Sequence, residues 1–216
     1  DRVPAAGGLA TVRQSFAGRC TRRNLYRSGS FDRYLRACRC VHRSRPPSGH
    51  SSSGRGKRQL LPVLAEHYPP TFRRYIEPFV GSGAVFFDLL NTGRLARCEI
   101  QLCDVNPDLF GCYWTVRDHS DNVIRELRTL AREYRRCGSE CYYDVRDRRF
   151  NPARAELKAL SSSEAEVASR YTPTLAAMLI FLNRTGFNGL FRLNRSGGFN
   201  VPAGRYSNPT ICDEAN

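Results

Sequence analysis

Lysine is almost missing from this chain: of 34 basic residues, only Lys57 and Lys158 are not arginine. An arginine bias follows from genome composition as readily as from phosphate recognition, so it decides nothing about partners alone. No apolar run reaches the roughly 18 residues of a spanning helix, so no membrane helix is expected. The first residues are charged and lack an apolar core segment, so no secretory leader is expected. Nine cysteines are scattered along the chain. Without an export signal, that favours reduced thiols and a cytoplasmic setting over a disulfide framework. Acidic residues are also scarce, 20 in all, leaving a net charge of +14. The excess is local: residues 1–56 carry 12 Arg against Asp1 and Asp32, a net of +10, while the remaining 160 residues carry only +4. A nucleic-acid argument therefore has to come from particular residues and not from the total.

What is present allows one good domain and some excess, since 216 residues can bury a substantial core. Residues 1–56 are rich in Arg, Ser, Gly and Pro and are expected to lack regular structure, apart from at most a short helix between Ser30 and Cys40. Cys38, Cys40 and His42, with Cys20 upstream, admit a zinc reading. Their C-x-C-x-H spacing is not that of a finger and no second pair follows, so no metal site is assigned. Arg-rich tails also bind nucleic acid without sequence preference, and that reading stays open.

From Lys57 the texture changes. Lys57 to His67 reads as a short helix with Leu60, Leu61 and Leu64 on one face, ended by Tyr68-Pro69-Pro70. Phe72 to Ile76 reads as a buried strand, Gly81-Ser82-Gly83 as a turn, and Ala84 to Leu90 as an apolar helix. Two glycines so close allow positive φ and a near approach of backbone to ligand, and the unpaired N–H groups of a helix start attract a polar or negative group. An ordinary βα turn reads the same way. Glu99 to Cys103 predicts a second strand ending at Asp104, 21 positions beyond Gly83. That spacing suits an acid delivered to the hydroxyls of a nucleoside ribose. Asp104 also reads as a cap for the helix starting near Asn106-Pro107, with Asp108 in its first turn.

Leu109 to Asp118 and Asn122 to Arg136 predict two helices, the second with Val123, Leu127, Leu130 and Tyr134 on one side and arginines on the other. The arginine side reads as a solvated face. Tyr142-Tyr143 and Phe150-Asn151 belong to a further helical segment and its end, Glu164 to Ser169 to another, and Thr174 to Leu182 to a buried helix. Asn183 to Tyr206 then alternates Gly, Asn, Arg and aromatics too densely for a core element. Leu190 to Arg195 and Phe199 to Val201 predict two short strands joined by Ser196-Gly197-Gly198. Arg192, Arg195 and Arg205, the amides of Asn183, Asn188, Asn194 and Asn200, and the rings of Phe187 and Phe191 are candidates for reading bases or filling a gap beside one. A rigid loop knitted by its own amides is the other reading.

Three stretches, IEPFVGSGAVFFDLL, LCDVNPDL and LNRTGFNGLFRLNRSGGFNVPAGRY, together resemble the Dam-type, D12 class of site-specific DNA adenine methyltransferases. The likeness runs from about Gly54 to Asn216 and is most specific in the third stretch. It implies an α/β, Rossmann-like S-adenosylmethionine-dependent fold with a helical and β-hairpin target-recognition insertion. The implied divisions are a tail (1–56), a cofactor part (57–110), a recognition region (111–206) and the start of a further part (207–216). It implies S-adenosylmethionine held by Glu77, Pro78, Phe79, Gly81 and Gly83, with Asp104 on the ribose. Lys57, with Gly56, matches the end of the family's Trp-x-Gly-Gly-Lys, whose Trp is absent here. It implies double-stranded DNA as partner, a monomer and a GATC-like target. Arg192 falls where a base-reading arginine stands, and Phe187 and Asn188 where residues enter the duplex or replace the flipped base. Leu190 belongs to that DNA-contacting set, as do Pro202 and Arg205, which fall where the target or its backbone is contacted. The family's catalytic Asp-Pro-Pro-Tyr has no counterpart; Tyr68-Pro69-Pro70-Thr71 and Arg45-Pro46-Pro47-Ser48 share only the prolines. A fragment with no catalytic residue of its own is expected. A noncatalytic nucleic-acid-binding protein is the rival, and a nucleotide hydrolase is disfavoured because no Lys-Ser or Lys-Thr follows the glycines.

Overall fold

The computed structural model of the chain describes residues 11–16, 60–95 and 98–212, the first of these through its backbone. The chain divides into two compact units that meet in sequence between Val105 and Asn106.

The first unit is a small parallel sheet with its crossover. β2 (Arg74–Glu77) and β3 (Glu99–Asp104) run parallel with Arg74 opposite Glu99 and Glu77 opposite Leu102. Parallel neighbours need a crossover, supplied by α2 (Ala84–Asn91), which buries Ala84, Phe86, Phe87 and Leu89. Ile100 and Leu102 are buried on β3, and the Phe86 ring stacks on Tyr75 with centroids 6.4 Å apart. Each such buried ring stabilises the unit by roughly 2–3 kcal/mol. α1 (Leu61–Ala65) buries none of its residues, so the leucine stripe expected to pack there is at most half-covered.

Two strand expectations need correction. Thr11–Phe16, inside the segment expected to lack structure, forms β1 and pairs parallel with β3, Thr11 opposite Glu99 through Phe16 opposite Asp104. The order is β1-β3-β2. Thr, Val and Phe supply the β-branched and aromatic content that the surrounding Arg/Ser composition hides. In β2, Ile76 is not buried but 48% exposed, while Glu77 is buried. Alternate residues of a strand point to opposite faces, and in β2 Tyr75 and Glu77 share the covered one while Arg74 and Ile76 take the other.

The second unit is helical. α3 (Pro107–Cys137) is capped by Asn106, whose side chain accepts from the Asp108 N–H, and bends at His119 (φ −135°, ψ 37°). The bend is the break expected between the two helices. Pro at the first turn needs no donor, and Gly138 at the other end has φ +55°. Val123, Leu127, Leu130 and Tyr134 form the buried stripe and pack chiefly on α7 (Pro173–Thr185), whose Leu175 to Leu182 run is buried throughout. α4 (Ser139–Asp144) and α5 (Asn151–Ala159) join through a π-helical turn at Val145–Phe150. Asn151 is therefore inside a helical run and does not end one. α6 (Glu164–Ser169) starts with a Ser163 cap that accepts from the Glu166 N–H. Among the described residues no helix is long and apolar enough to cross a membrane.

Candidate cofactor turn and nucleic-acid hairpin

The glycine turn lies across the carboxyl end of β3. Val80 N–H donates to the Cys103 carbonyl (2.9 Å), and Gly81 N–H donates to Asp104 Oδ2 (2.8 Å). Gly81 (φ +52°) and Gly83 (φ +71°) both take the left-handed conformation, and Gly83 is the N-cap of α2. Open space surrounds the position a Cβ would occupy at Gly81. A half-buried carboxylate thus sits against an open, positive-φ turn at the carboxyl ends of parallel strands, where α/β sheets bind their ligands. Asp104 does not cap α3, because Asn106 does. Pro78 and Phe79 are exposed, Phe79 at 69%, which offers a ring face to a planar group. Glu77 faces inward and accepts from the Tyr75 hydroxyl at 2.7 Å. Burial, reinforced by that hydrogen bond, pushes the Tyr75 phenol up, so it stays a donor. These residues fit a nucleoside, with a carboxylate for hydroxyls, close backbone and an exposed ring. Lys57 lies outside the described residues.

The second candidate, Asn183 to Tyr206, is a hairpin with little regular strand. Leu193 and Phe199 form an antiparallel bridge, as do Gly186 and Ala203 at its root. Its tip is closed by Asn194, whose N–H donates to the Gly198 carbonyl and whose side chain accepts from the Gly198 N–H, each at 2.8 Å, with Gly197 at φ +79°. Phe187, Asn188, Leu190, Arg192, Pro202 and Arg205 are all exposed. The root brings Phe187 to Pro202, whose carbonyl accepts from the Phe187 N–H at 2.9 Å. Asn188 is the one described non-glycine residue at positive φ (+53°), a conformation asparagine tolerates better than most. Arg192 folds back on Asn200, donating to its side-chain oxygen (2.9 Å) and its carbonyl (3.2 Å). Arg205 lies apart from that group, in a cleft against α3. Phe191, expected to be an exposed wedge, is half-buried and packs on Phe199, with centroids 5.7 Å apart. Asn183 donates to the Gly189 carbonyl (2.6 Å). For Asn183 and Asn194, the rigid-loop reading is the observed one.

What holds the hairpin was not expected. Along its returning arm, alternate residues meet one helical face. Tyr142 and Arg146 donate to the Val201 carbonyl (2.8 and 2.9 Å). The Asn151 amide both accepts from the Phe199 N–H (2.8 Å) and donates to its carbonyl (3.0 Å), and Arg154 donates to the Gly197 carbonyl. Acceptors at 201, 199 and 197 follow the period of an extended strand. Donors spaced by four, five and three residues share a face because the π-helical turn absorbs the odd spacing. Arg154 also donates to both oxygens of the fully buried Asp108 at 2.8 and 2.9 Å. Burial next to that carboxylate pushes the Cys112 thiol up to about 12 and raises the Tyr171 phenol. The nearest available signal was Asp108 itself, an acid two residues past a cap in the first turn of an amphipathic helix.

Among the described residues no group of His, Cys, Asp and Glu could hold a metal ion, and Cys20, Cys38, Cys40 and His42 lie outside them. A family model described as D12 class N6 adenine-specific DNA methyltransferase matches residues 55–216. The chain belongs to that family. Type II methyltransferase M.MjaIII of Methanocaldococcus jannaschii is 39% identical across 74% of this chain and 53% of its own length. Type II methyltransferase M1.LlaDCHI of Lactococcus lactis is 33% identical across 74% and 48%. The DNA adenine methylase of Escherichia coli K12 is 34% identical across 71% and 46%. The chain spans about half the length of these curated relatives. Every candidate residue of the turn and hairpin falls inside the span matched to the D12 methyltransferases, and β1 falls outside it.

Proposed function

We propose that these residues form the cofactor- and DNA-binding parts of a Dam-type adenine-N6 methyltransferase with a Rossmann-like core, its sheet incomplete in this chain. The carrying observation is the Gly81 N–H on Asp104 Oδ2, which holds an acid beside an open glycine turn. S-adenosylmethionine, when bound, supplies an electrophilic methyl on its sulfonium. Asp104 accepts from the ribose hydroxyls, the Gly81–Gly83 turn lets backbone approach the nucleoside, and Phe79 lends its ring; Glu77 and Pro78 shape the turn and Lys57 meets the methionine end. In the recognition region 111–206, Arg192 releases Asn200 and reads a base edge in duplex DNA with a GATC-like target. Phe187, Asn188 and Leu190 enter beside an extruded adenine, and Pro202 and Arg205 contact the target and its backbone. In an enzyme that also carries the catalytic motif, the methyl would leave the sulfonium, releasing a neutral thioether, and pass directly to N6, with positioning and desolvation as the contribution of these residues. The 216 residues contain no Asp-Pro-Pro-Tyr, so this chain alone binds without transferring methyl groups, and it does so as a monomer.

Calorimetry with S-adenosylmethionine tests the reading. Binding heat is expected from the purified chain, weakened at least tenfold in Asp104→Ala, a carboxylate–hydroxyl pair amounting to about 1.5–3 kcal/mol. DNA binding without any cofactor heat would leave the noncatalytic alternative in its place.

A further inference from the structure

The second half of α3 carries a row that the hairpin does not use. Arg125, Arg128, Arg132 and Arg135 are spaced by three, four and three residues and all are exposed, so they share one helical face. The opposite stripe, Val123 to Tyr134, is buried and fixes that face outward. The row forms one wall of a cleft of about 1190 Å³ whose other wall is the chain leaving the hairpin, Gly204 to Cys212, with Arg205 in it. Among the described residues, none that lines the cleft is acidic. Among the described residues, no carboxylate lies within ion-pair distance of Arg125, Arg132 or Arg135; Arg125 and Arg132 donate instead to neutral Asn122 and Thr129. Glu133, on the same helix, is engaged by Arg149 at 2.8 Å.

Arg125, Arg132, Arg135 and Arg205 line this open cleft together, and like charges so placed repel one another less when an anion lies between them. The row spans about 15 Å of helix, a length of duplex carrying about four phosphates per strand. Arg, with a planar fork of donors, suits phosphate oxygens. The cleft wall is rooted to the hairpin: the Gly204 N–H donates to the Thr185 carbonyl (2.7 Å), directly beside the Gly186–Ala203 bridge. We infer that this cleft is a second DNA contact, a sequence-independent seat for the sugar–phosphate backbone formed by α3 and the segment after the hairpin. It rests on the DNA-binding reading proposed above and deepens it, because of the cleft's residues the resemblance assigned only Arg205 to DNA, and the charge pattern of α3 read as a solvated face.

The test measures duplex binding across salt concentrations for the full chain and for R125Q/R128Q/R132Q/R135Q, since Gln keeps helix propensity. Affinity is expected to fall equally for GATC-containing and GATC-free duplexes. The slope of log Kobs on log salt should become shallower by about 0.9 per contact, three to four in all. Arg192→Ala, by contrast, should lose discrimination while keeping most of the slope. An unchanged slope in the quadruple variant overturns the cleft, as does loss of poly-glutamate binding with duplex binding intact. Should that variant fail to fold, Arg132→Glu alone must still reduce the slope by at least one contact. If the cleft variant behaves as stated but Arg192→Ala changes nothing, the hairpin reading fails and the cleft stands; the reverse pattern sinks the cleft only.

Discussion

The Gly81–Gly83 turn and the Asn183–Tyr206 hairpin are both glycine-rich loops, yet they are held by different means. The turn is fixed by neighbours in the fold's smallest repeat: Val80 on Cys103, Gly81 on Asp104 and the Gly83 N–H on the Val80 carbonyl (2.8 Å). The hairpin keeps few strand bonds of its own and is held by side chains 43 to 59 positions earlier, from Arg154 back to Tyr142. The turn is thus held by main-chain bonds and one carboxylate drawn from adjoining strand ends. A loop held by distant side chains depends on their burial, so its recognition residues are coupled to the stability of the helical unit.

The largest expected effect breaks the hairpin's side of that contrast. Arg154→Met leaves Asp108 buried without its partner and removes the Gly197 contact, which should cost about 3–5 kcal/mol in urea unfolding. The double variant Asp108→Leu/Arg154→Met should recover much of this, since two apolar groups replace a buried pair at little net cost. Asn151→Ala comes next. It leaves both backbone groups of Phe199 unmatched, so a loss of about 2 kcal/mol is expected, with faster hydrogen exchange at the Phe199 amide. On the turn's side, Asp104→Asn retains an acceptor for Gly81, so unfolding should shift by less than about 1 kcal/mol while cofactor affinity falls at least tenfold. Should Asp104→Asn unfold the chain as Arg154→Met does, the proposed difference between the loops is wrong.

A control outside both loops should give the smallest effect. Glu166 accepts from the Ser162 N–H and hydroxyl, which hold its carboxyl below the usual range. A depressed folded value means stabilisation that is present above the ordinary glutamate range and lost as pH falls through the depressed value. Glu166→Gln should remove that acid-side dependence, read by NMR titration of the wild-type carboxyl and melting curves of both proteins, and leave both loops unchanged.

Much of the cofactor turn was legible because its cause is local. Strand, glycine turn, apolar helix and spaced acid lie within about thirty residues, and the Gly81–Asp104 bond joins the two features the spacing singled out. The helices of the second unit were legible for the same reason, down to the break near His119. Phe191 was misread as exposed because the predicted hairpin brings Phe199 back beside its strand but does not show which face is covered. Ile76 was misread as buried because a short β-branched run does not reveal which face of a strand is covered. Thr11–Phe16 was missed because six residues of strand are diluted by an Arg/Ser composition on both sides.

The sequence by itself determined the parallel βαβ turn, the acid at its end, the main helices with the break near His119 and the D12 resemblance, since each rests on periodicity, capping or a contiguous motif. Only the tertiary structure decided that Asp108 pairs with Arg154 in the core, that a π-helical turn brings Arg146 and Asn151 onto one face, and that four arginines of α3 face Arg205 across a cleft. Those arrangements join residues far apart in the chain. Their energy comes from burial and charge proximity, which exist only once the chain has folded.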